Sequence, residues 1–313
     1  MHKGSLPLIV VAVIVVLAGC SNPTGSGLGR TPSSTVPMVL VPAGSFQRDG
    51  ESANTSVVTQ PFWIGRYEVT RAQFLAVMGA DPSFQSDSTG LADPVQFVHW
   101  YHAIAFCNKL SLAEGRTPVY SIPGIDFDVL EFDDIPVPTP EPPDSLLLNN
   151  SLWDSVTVDW NADGYRLPTA TEWMWAAMGA DTANKGAVNT SGYQKDFPGD
   201  DGTNDIDDFA WYWHNADPLR NGSGSTRPAG TRLPNELGIY DMGGNVIEWC
   251  WDWYSDSLPP GELSDYRGPA TGVDRVSRGG SWGDWHDRLR ITHRDDRSPG
   301  GRNGYVGFRV VRR

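Results

Sequence analysis

NELGIYDMGGNVIEWCWDWY, residues 235–254, is the stretch of sequence that decides the fold. Its glycines Gly238, Gly243 and Gly244 permit tight backbone turns in the first half of the stretch. Four large aromatic side chains follow within the six residues 249–254. Aromatic side chains at this density have to be buried, so the stretch is predicted to lie in the core of a folded domain.

The composition around this stretch is that of a globular protein with short elements and many structured loops. The chain has 313 residues, of which 39% are hydrophobic, 34 are glycine and 24 are proline. Its formal net charge is -14. A general nucleic-acid binder carries a basic face, so we expect no nucleic-acid partner.

The first 19 residues have the pattern of a signal peptide. Lys3 supplies a positive charge, residues 6–18 are almost entirely apolar, and the ending Leu-Ala-Gly-Cys resembles a bacterial lipoprotein box. The apolar run is shorter than the roughly 20 residues of a spanning helix. Cleavage makes Cys20 the lipidated N-terminus and leaves residues 20–35 as a flexible tether. The sequence therefore predicts a lipid-anchored protein of the cell envelope, exposed on the outer membrane; the alternative is an uncleaved anchor.

Residues 36–313 are predicted to fold as a single α+β domain. Thr70 with Gln73, and Thr169 with Glu172, form capping-box patterns, which mark the starts of helices. Apolar runs predict the other elements: strands at 36–46 and 62–69, and a helix at about 100–110.

An acidic, proline-rich insert lies near residues 126–148. Five prolines between Asp126 and Asp144 oppose regular secondary structure. The insert is therefore predicted to be a solvated excursion on the surface.

Cysteine and histidine are the residues that most often carry chemistry, and here their pattern favours structural roles. Cys107 and Cys250 lie in apolar, aromatic segments, where a buried free thiol is favoured, although an exported protein can also form a disulfide. His99 and His102 share one face of the predicted helix, and the sequence shows no third metal ligand beside them. We expect them to be packed or to cap the helix.

Six motifs stand in the order seen in the formylglycine-generating-enzyme (sulfatase-modifying factor) domain, which this chain resembles over nearly all of residues 36–313. The resemblance implies a C-type lectin-like fold of that type, with a twisted antiparallel sheet, flanking helices and long structured loops. The motifs are VPAGSF (41–46), YEVTRAQF (67–74), GYRLPTATEW (164–173), NELGIYDMGGNVIEW (235–249), RVSRGGSW (275–282) and GFRVV (307–311).

The resemblance also implies what this chain lacks. Active members oxidise a substrate cysteine with a copper-holding cysteine pair just after the GGS motif. Here Ser281 is followed by WGDWHDRLRITHR, which contains no sulfur, and Cys250 is the last cysteine. Thiolates are indispensable to that chemistry, so we predict no oxidase activity and no required cofactor. An enzyme of the same fold with an altered, cysteine-free active site is the alternative.

A structural calcium ion is the one cofactor that the resemblance leaves open. In the family, side-chain and carbonyl oxygens of one loop bind calcium, and the matching positions are Asp241, Gly244, Val246 and Glu248. The alternative is a buried turn in which Glu248 accepts hydrogen bonds from backbone N–H groups.

In residues 279–311, packing residues alternate with mostly small or polar residues, which we call the filler. Their framework, GGSW followed by spaced arginines and proline and then GFRVV, resembles the variable region of C-type lectin-fold proteins diversified by retroelements. In such systems template adenines are copied with errors, so an AAC codon can become many others ending in C. Fourteen positions carry residues reachable in this way: Gly283, Asp284, His286, Asp287, Arg288, His293, Asp295, Asp296, Arg297, Gly300, Gly301, Asn303, Gly304 and Tyr305.

We call residues 283–305 the variable segment and predict that it binds a ligand. Apolar neighbours should anchor it in the core, and carboxylates of the acidic body should hold its arginines. Tyr305, Arg288, Arg297 and Trp285 are the expected energetic anchors, since aromatics and arginine dominate binding hot spots. The sequence thus predicts a non-catalytic, surface-displayed protein that binds an unidentified extracellular protein or glycan; the alternative is an ordinary solvated loop.

Overall fold

The structure is a computed structural model that describes residue 1 and residues 35–137, 149–180, 193–217 and 224–313. Residues 32–313 form one compact unit, and of the other unit, residues 1–31, only Met1 is described. The predicted signal peptide, Cys20 and most of the tether therefore lie outside the described residues. Among the residues that are described, no helix is both long enough and apolar enough to cross a membrane.

Twelve short strands form four small sheets within the described residues, with the orders β10-β9-β7-β11, β1-β4-β12, β2-β3-β8 and β5-β6. Most neighbours are antiparallel, whereas β7 with β11 and β3 with β8 are parallel. The strands are β1 (Met38–Val41), β2 (Gly44–Gln47), β3 (Thr55–Val58), β4 (Phe62–Gly65), β5 (Tyr120–Ser121), β6 (Thr157–Val158), β7 (Ile247–Trp253), β8 (Leu263–Ser264), β9 (Arg275–Arg278), β10 (Asp295–Arg297), β11 (Val306–Gly307) and β12 (Val311–Arg312).

The stretch 235–254 supplies β7, the longest of the described strands. Trp249, on β7, is fully buried and lies opposite Ser277 of β9, and Ile247 lies opposite Val306 of β11. The turn that precedes the strand depends on Gly244, whose φ is 79° and where an added Cβ would lie 2.2 Å from the carbonyl oxygen of Trp211. The predicted burial of this stretch is confirmed.

Helices pack around the sheets. Both capping boxes are present: the Thr70 and Gln73 side chains close the start of α1, and those of Thr169 and Glu172 close the start of α4. The helices are α1 (Arg71–Met78), α2 (Trp100–Ala113), α3 (Ser151–Asp154), α4 (Ala170–Ala177), α5 (Ile206–Phe209) and α6 (Trp213–Ala216), with single 3-10 turns at Gln85–Asp87, Phe132–Asp134 and His286–Leu289. This mixture of curled sheets, few helices and long loops confirms the α+β, C-type lectin-like fold.

The histidines and cysteines take the structural roles expected of them. His99 caps α2, since its Nδ1 accepts a hydrogen bond of 3.1 Å from the backbone N–H of His102, and both rings are buried. Cys107 and Cys250 are buried free thiols in separate hydrophobic clusters. The disulfide alternative is therefore not observed.

Three predictions about the elements need correction. The run 36–46 is split between β1 and β2 at Pro42, which has no N–H to donate to a strand ladder, and the strand predicted at 62–69 ends at Gly65. The insert is not a solvated excursion throughout, because Phe127, Leu130 and Ile135 are buried in the larger core cluster. The free energy gained by burying these three apolar side chains exceeds the cost of fixing the acidic residues between them. Residues 138–148 of the insert lie outside the described part of the chain.

Candidate functional site

The variable segment runs from the end of β9, through one 3-10 turn and β10, to β11. Its predicted apolar anchors are at most 6% exposed, so each of them packs in the core. Their burial fixes the backbone between them. The anchors are Trp282, Leu289, Ile291, Val306, Phe308 and Val310.

The filler residues mostly reach solvent. Of the fourteen, five are exposed and seven are half-buried, while Gly300 and Gly304 are buried and offer the surface no side chain. Trp285 is 52% exposed, as a contact residue requires. The exposed five are His286, Asp287, Arg288, Asp296 and Tyr305, and the half-buried seven are Gly283, Asp284, His293, Asp295, Arg297, Gly301 and Asn303.

A cluster of charged side chains joins the two arms of the variable segment. Asp295 Oδ1 lies 2.9 Å from Arg288 Nη1 and 3.0 Å from His293 Nε2. Asp284 Oδ2 accepts hydrogen bonds from the backbone N–H and the hydroxyl of Ser281, at 3.0 and 2.6 Å. Burial opposes ionisation of Asp295, but the hydrogen bond from His293 and the charges of His293 and Arg288 outweigh it and lower the pKa of this carboxyl. Asp295 is therefore ionised at neutral pH and carries the charge that pairs with Arg288.

Aromatic rings flank the charged cluster. Trp285 stacks obliquely on Trp213, with ring centroids 4.1 Å apart, and Tyr305 packs on Trp282 at 4.7 Å. An added Cβ at Gly283 would lie 2.4 Å from the ring of Tyr305, so a larger residue at position 283 requires that ring to move. Two of the fourteen positions are thus coupled through one side chain.

Phe97 and Asp87, which the sequence analysis missed, lie beside the variable segment, and Phe84 packs on Phe97. Phe84 is 49% exposed and packs edge-on against Phe97, and the backbone N–H of Phe97 donates to the carbonyl of Asn303 at 3.0 Å. Phe97 has φ of 63°, a strained value for a bulky residue. Asp87 lies next to Gly304. These residues are some 200 positions away along the chain, and no sequence pattern signals their approach.

The framework arginines, Arg290, Arg294 and Arg302, are held differently from the prediction. Arg290 pairs with Asp196 at 2.9 Å, but Arg294 lies over the ring of Tyr254 and Arg302 over the ring of Phe97. A planar guanidinium gains from an aromatic face as well as from a carboxylate. The expectation that carboxylates hold these arginines is therefore wrong for Arg294 and Arg302.

The loop matched to the calcium site holds an arginine side chain. Nε of Arg309 lies 2.8 and 2.7 Å from the two carboxylate oxygens of Glu248, and Nη2 lies 2.6 Å from one of them and 3.1 Å from the carbonyl oxygen of Asp241. Trp173 Nε1 also donates to Glu248 at 2.9 Å.

These contacts do not fit a calcium ion, because the guanidinium uses the oxygens that would bind it. Oδ2 of Asp241 accepts from the N–H of Gly230 at 2.6 Å, and burial raises the pKa of Asp241 to about 6. Gly244 and Val246 form the turn that carries this loop into β7. In the described part of the chain, no group of three or more His, Cys, Asp or Glu residues is arranged to hold a metal. Calcium binding therefore stays a prediction, and this geometry argues against it.

The described cysteines do not form a reactive site. Burial raises the pKa of the Cys107 and Cys250 thiols, which keeps both protonated. They also lie in different core clusters.

The fold and the closing segment together define a C-type lectin-like protein built on the scaffold of formylglycine-generating enzymes. Residues 27–313 match the model of the sulfatase-modifying factor enzyme 1-like domain, and the chain belongs to this family. It is 33% identical to the chaperone protein LppX of Paenibacillus barcinonensis over 98% of both chains. It is 29% identical to the formylglycine-generating enzyme of Thermomonospora curvata, covering 88% of this chain and 92% of that one.

A solved structure with the same fold is that of Treponema denticola variable protein 1. The two share 36% identity with a TM-score of 0.73, over 88% of this chain and 94% of the other. The sequence motifs and the closing segment predict a resemblance to the variable protein of a Treponema diversity-generating retroelement. This likeness confirms the resemblance to a Treponema variable protein; the retroelement stays a prediction.

Proposed function

We propose that this chain is a non-catalytic ligand-binding lipoprotein of the cell envelope, and that the variable segment is its binding surface. One observation carries the proposal: buried anchors and exposed filler alternate within a single stretch. Trp282 is 6% and Leu289 0% exposed, whereas Trp285 between them is 52% exposed. Such a surface can change without loss of the core.

We propose that a retroelement diversifies these positions, because five of the filler residues are exposed and can be replaced without opening the core. The five exposed members place their side chains outside both large core clusters. A rigid backbone loses little conformational entropy on binding, so new side chains there can create affinity directly. The name of the Treponema relative, variable protein, agrees with this function.

The chemistry of the surface suits a macromolecular ligand. Trp285 and Tyr305 offer large rings, and Arg288 and His286 offer charged or hydrogen-bonding groups around them. Aromatic and arginine side chains in this mixture are typical of protein-binding hot spots, and aromatic rings also pack against glycans. We therefore propose an extracellular protein or glycan as ligand, with lipid on Cys20 as the attachment to the membrane.

An altered enzyme of the same fold is the weaker alternative. Burial raises the pKa of Asp252 to about 7, a value suited to acid–base catalysis. The space beside Asp252 and Arg278 measures about 20 Å³, however, which accommodates about one water molecule and argues against a substrate site there. The names of the Paenibacillus and Treponema relatives, a chaperone protein and a variable protein, also describe no enzyme.

Selection from two libraries tests the proposal. The first randomises the five exposed filler positions, His286, Asp287, Arg288, Asp296 and Tyr305, and the second randomises five exposed positions elsewhere, Glu51, Ser52, Asp128, Asp256 and Glu262. Streptavidin is the target for both. We expect folded binders from the first library and none of comparable affinity from the second. Equal yields from the two libraries, or mostly unfolded members in the first, would contradict the proposal.

A further inference from the structure

An open cleft with a volume of about 360 Å³ lies outside the variable segment. Its walls include Trp160, Trp251, Trp253, Arg267 and Arg275, and none of its lining residues belongs to 283–305. Clefts of about 300 to 1,000 Å³ with apolar walls and a few polar groups are typical of small-molecule sites. The size and the lining of this cleft therefore fit a small ligand.

Arg275 is the unusual residue in these walls. It is 1% exposed and its guanidinium lies 3.8 Å from the ring centre of Trp100 and 3.3 Å from that of Trp253. Nη1 donates to the carbonyl of Trp251 at 2.7 Å, while Nε has no hydrogen-bond partner. Among the described residues no carboxylate lies within 4.0 Å of this guanidinium. A buried charge without a counter-ion is costly.

A second unpaired arginine borders the same cleft. The guanidinium of Arg267 lies 3.9 Å from the ring centre of Trp160 and has no carboxylate partner in the described part of the chain. Burial lowers the pKa of Arg267, and it lowers that of Arg275 to about 9. Both arginines thus lose hydration without a carboxylate in direct contact. Carboxylates act on them only from beyond ion-pair distance, Asp265 on Arg267 and Asp154 on Arg275.

Three other buried arginines of this acidic protein have a carboxylate partner. Arg71, Arg166 and Arg309 pair with carboxylates at 2.7, 2.6 and 2.6 Å. Arg278 also lacks a carboxylate partner, but it lies away from this cleft and donates to two carbonyl oxygens, those of Ile291 and His293, each at 3.0 Å. With 38 acidic and 24 basic side chains in the sequence, acids are plentiful, so two arginines without a carboxylate contact at one cleft indicate a place for an anion.

Asp154 is the acidic residue among those that line the cleft, and it is engaged elsewhere. Its Oδ1 accepts a hydrogen bond of 2.9 Å from the hydroxyl of Tyr101. Burial raises the pKa of Asp154. The charge of Asp154 stabilises that of Arg275 from beyond ion-pair distance, but Asp154 forms no ion pair with either arginine.

We propose that the cleft binds a small carboxylate carried on a six-membered ring. A guanidinium holds a carboxylate through two parallel hydrogen bonds, and Arg267 and Arg275 supply the guanidinium groups. The indoles of Trp160 and Trp251 meet nearly at a right angle, 86°, with centroids 5.9 Å apart, and form an apolar corner for the ring. The site is independent of the variable segment, so it binds a ligand of fixed chemistry.

Titration calorimetry on the full chain tests this site with two carboxylates and their neutral counterparts. Glucuronate is compared with glucose, and benzoate with benzyl alcohol. We expect at least one carboxylate to bind saturably and about tenfold or more tightly than its neutral counterpart, since a hydrogen-bonded charge contributes that much. The pair that shows the difference identifies the ring as a sugar or an aromatic one. No saturable binding of either carboxylate, or equal binding of a neutral counterpart, overturns the proposal.

Variants locate the binding. Arg267→Gln removes a half-buried guanidinium at modest risk to folding, and Arg275→Gln removes the buried one. Arg116→Gln is the matched control, because Arg116 also lies over an aromatic ring, Tyr165, at 5.8 Å. We expect Arg267→Gln to weaken carboxylate binding about tenfold at unchanged melting temperature, and Arg116→Gln to leave it unchanged. Wild-type affinity in Arg267→Gln overturns the assignment even if Arg275→Gln fails to fold.

Discussion

The exposed ring of Tyr305 packs on the buried ring of Trp282, with the two ring centroids 4.7 Å apart. Trp282 is held independently, because its Nε1 donates to the carbonyl of Gly304 at 3.0 Å. Tyr305 therefore rests on an anchor whose position does not depend on it. Trp285 likewise is 52% exposed and lies in the same stretch as the buried Leu289.

The DNA around the gene should preserve the record of diversification. We expect a near-copy of the bases that encode residues 279–311, with adenines at the codons of the fourteen filler positions, beside a reverse-transcriptase gene. Sequencing of the locus checks this. A locus without the near-copy would remove diversification from the proposed function while leaving ligand binding to be tested separately.

Lipid on Cys20 should be the only attachment to the membrane. Cys20→Ser is expected to move the protein from the membrane fraction to the soluble fraction, because one lost acyl-bearing residue removes the apolar anchor. Ser21→Ala serves as the control and should stay in the membrane fraction. Membrane retention of Cys20→Ser would show a different anchor.

Arg309 and Glu248 should stabilise the fold in place of calcium. Arg309→Met leaves the buried carboxylate of Glu248 without its partner and is expected to lower the free energy of unfolding by about 3 to 5 kcal/mol. Calcium or EDTA should leave the melting temperature of the wild-type protein unchanged. A rise of the wild-type melting temperature with calcium would instead support the ion implied by the family resemblance.

Asp252 should make stability fall as pH rises. Burial raises its pKa from the usual 3.8 to about 7, so the folded state binds this proton more tightly than the unfolded state does. The stability contribution is fully favourable below about pH 4, declines up to about pH 7, and stays lost above that value. Asp252→Asn is therefore expected to raise the melting temperature more at pH 8 than at pH 5, with exposed Asp256→Asn as control. The same change at both values would contradict this ionisation.

Local signals were enough to predict much of the fold from the sequence. The capping boxes at Thr70 and Thr169 involve side chains three residues apart, so the sequence contains the whole interaction. The approach of Phe84 and Phe97 to the variable segment depends on the tertiary fold, and the burial of Phe127 inside an acidic insert depends on the surface it packs against. Such long-range contacts have no local pattern. The pairing of Arg309 with Glu248 was missed for the same reason.

The most direct test of the central claim compares two kinds of substitution by chemical denaturation. One variant replaces His286, Asp287, Arg288, Asp296 and Tyr305 together by serine; the others are the anchor variants Trp282→Ala and Leu289→Ala. We predict that the fivefold variant loses less than about 2 kcal/mol of unfolding free energy, because each exposed substitution costs about 0.5 kcal/mol or less and the lost Arg288 ion pair is at the surface. Each anchor variant should lose about 2 to 5 kcal/mol, because it opens a cavity. A fivefold variant as unstable as the anchor variants would contradict the account.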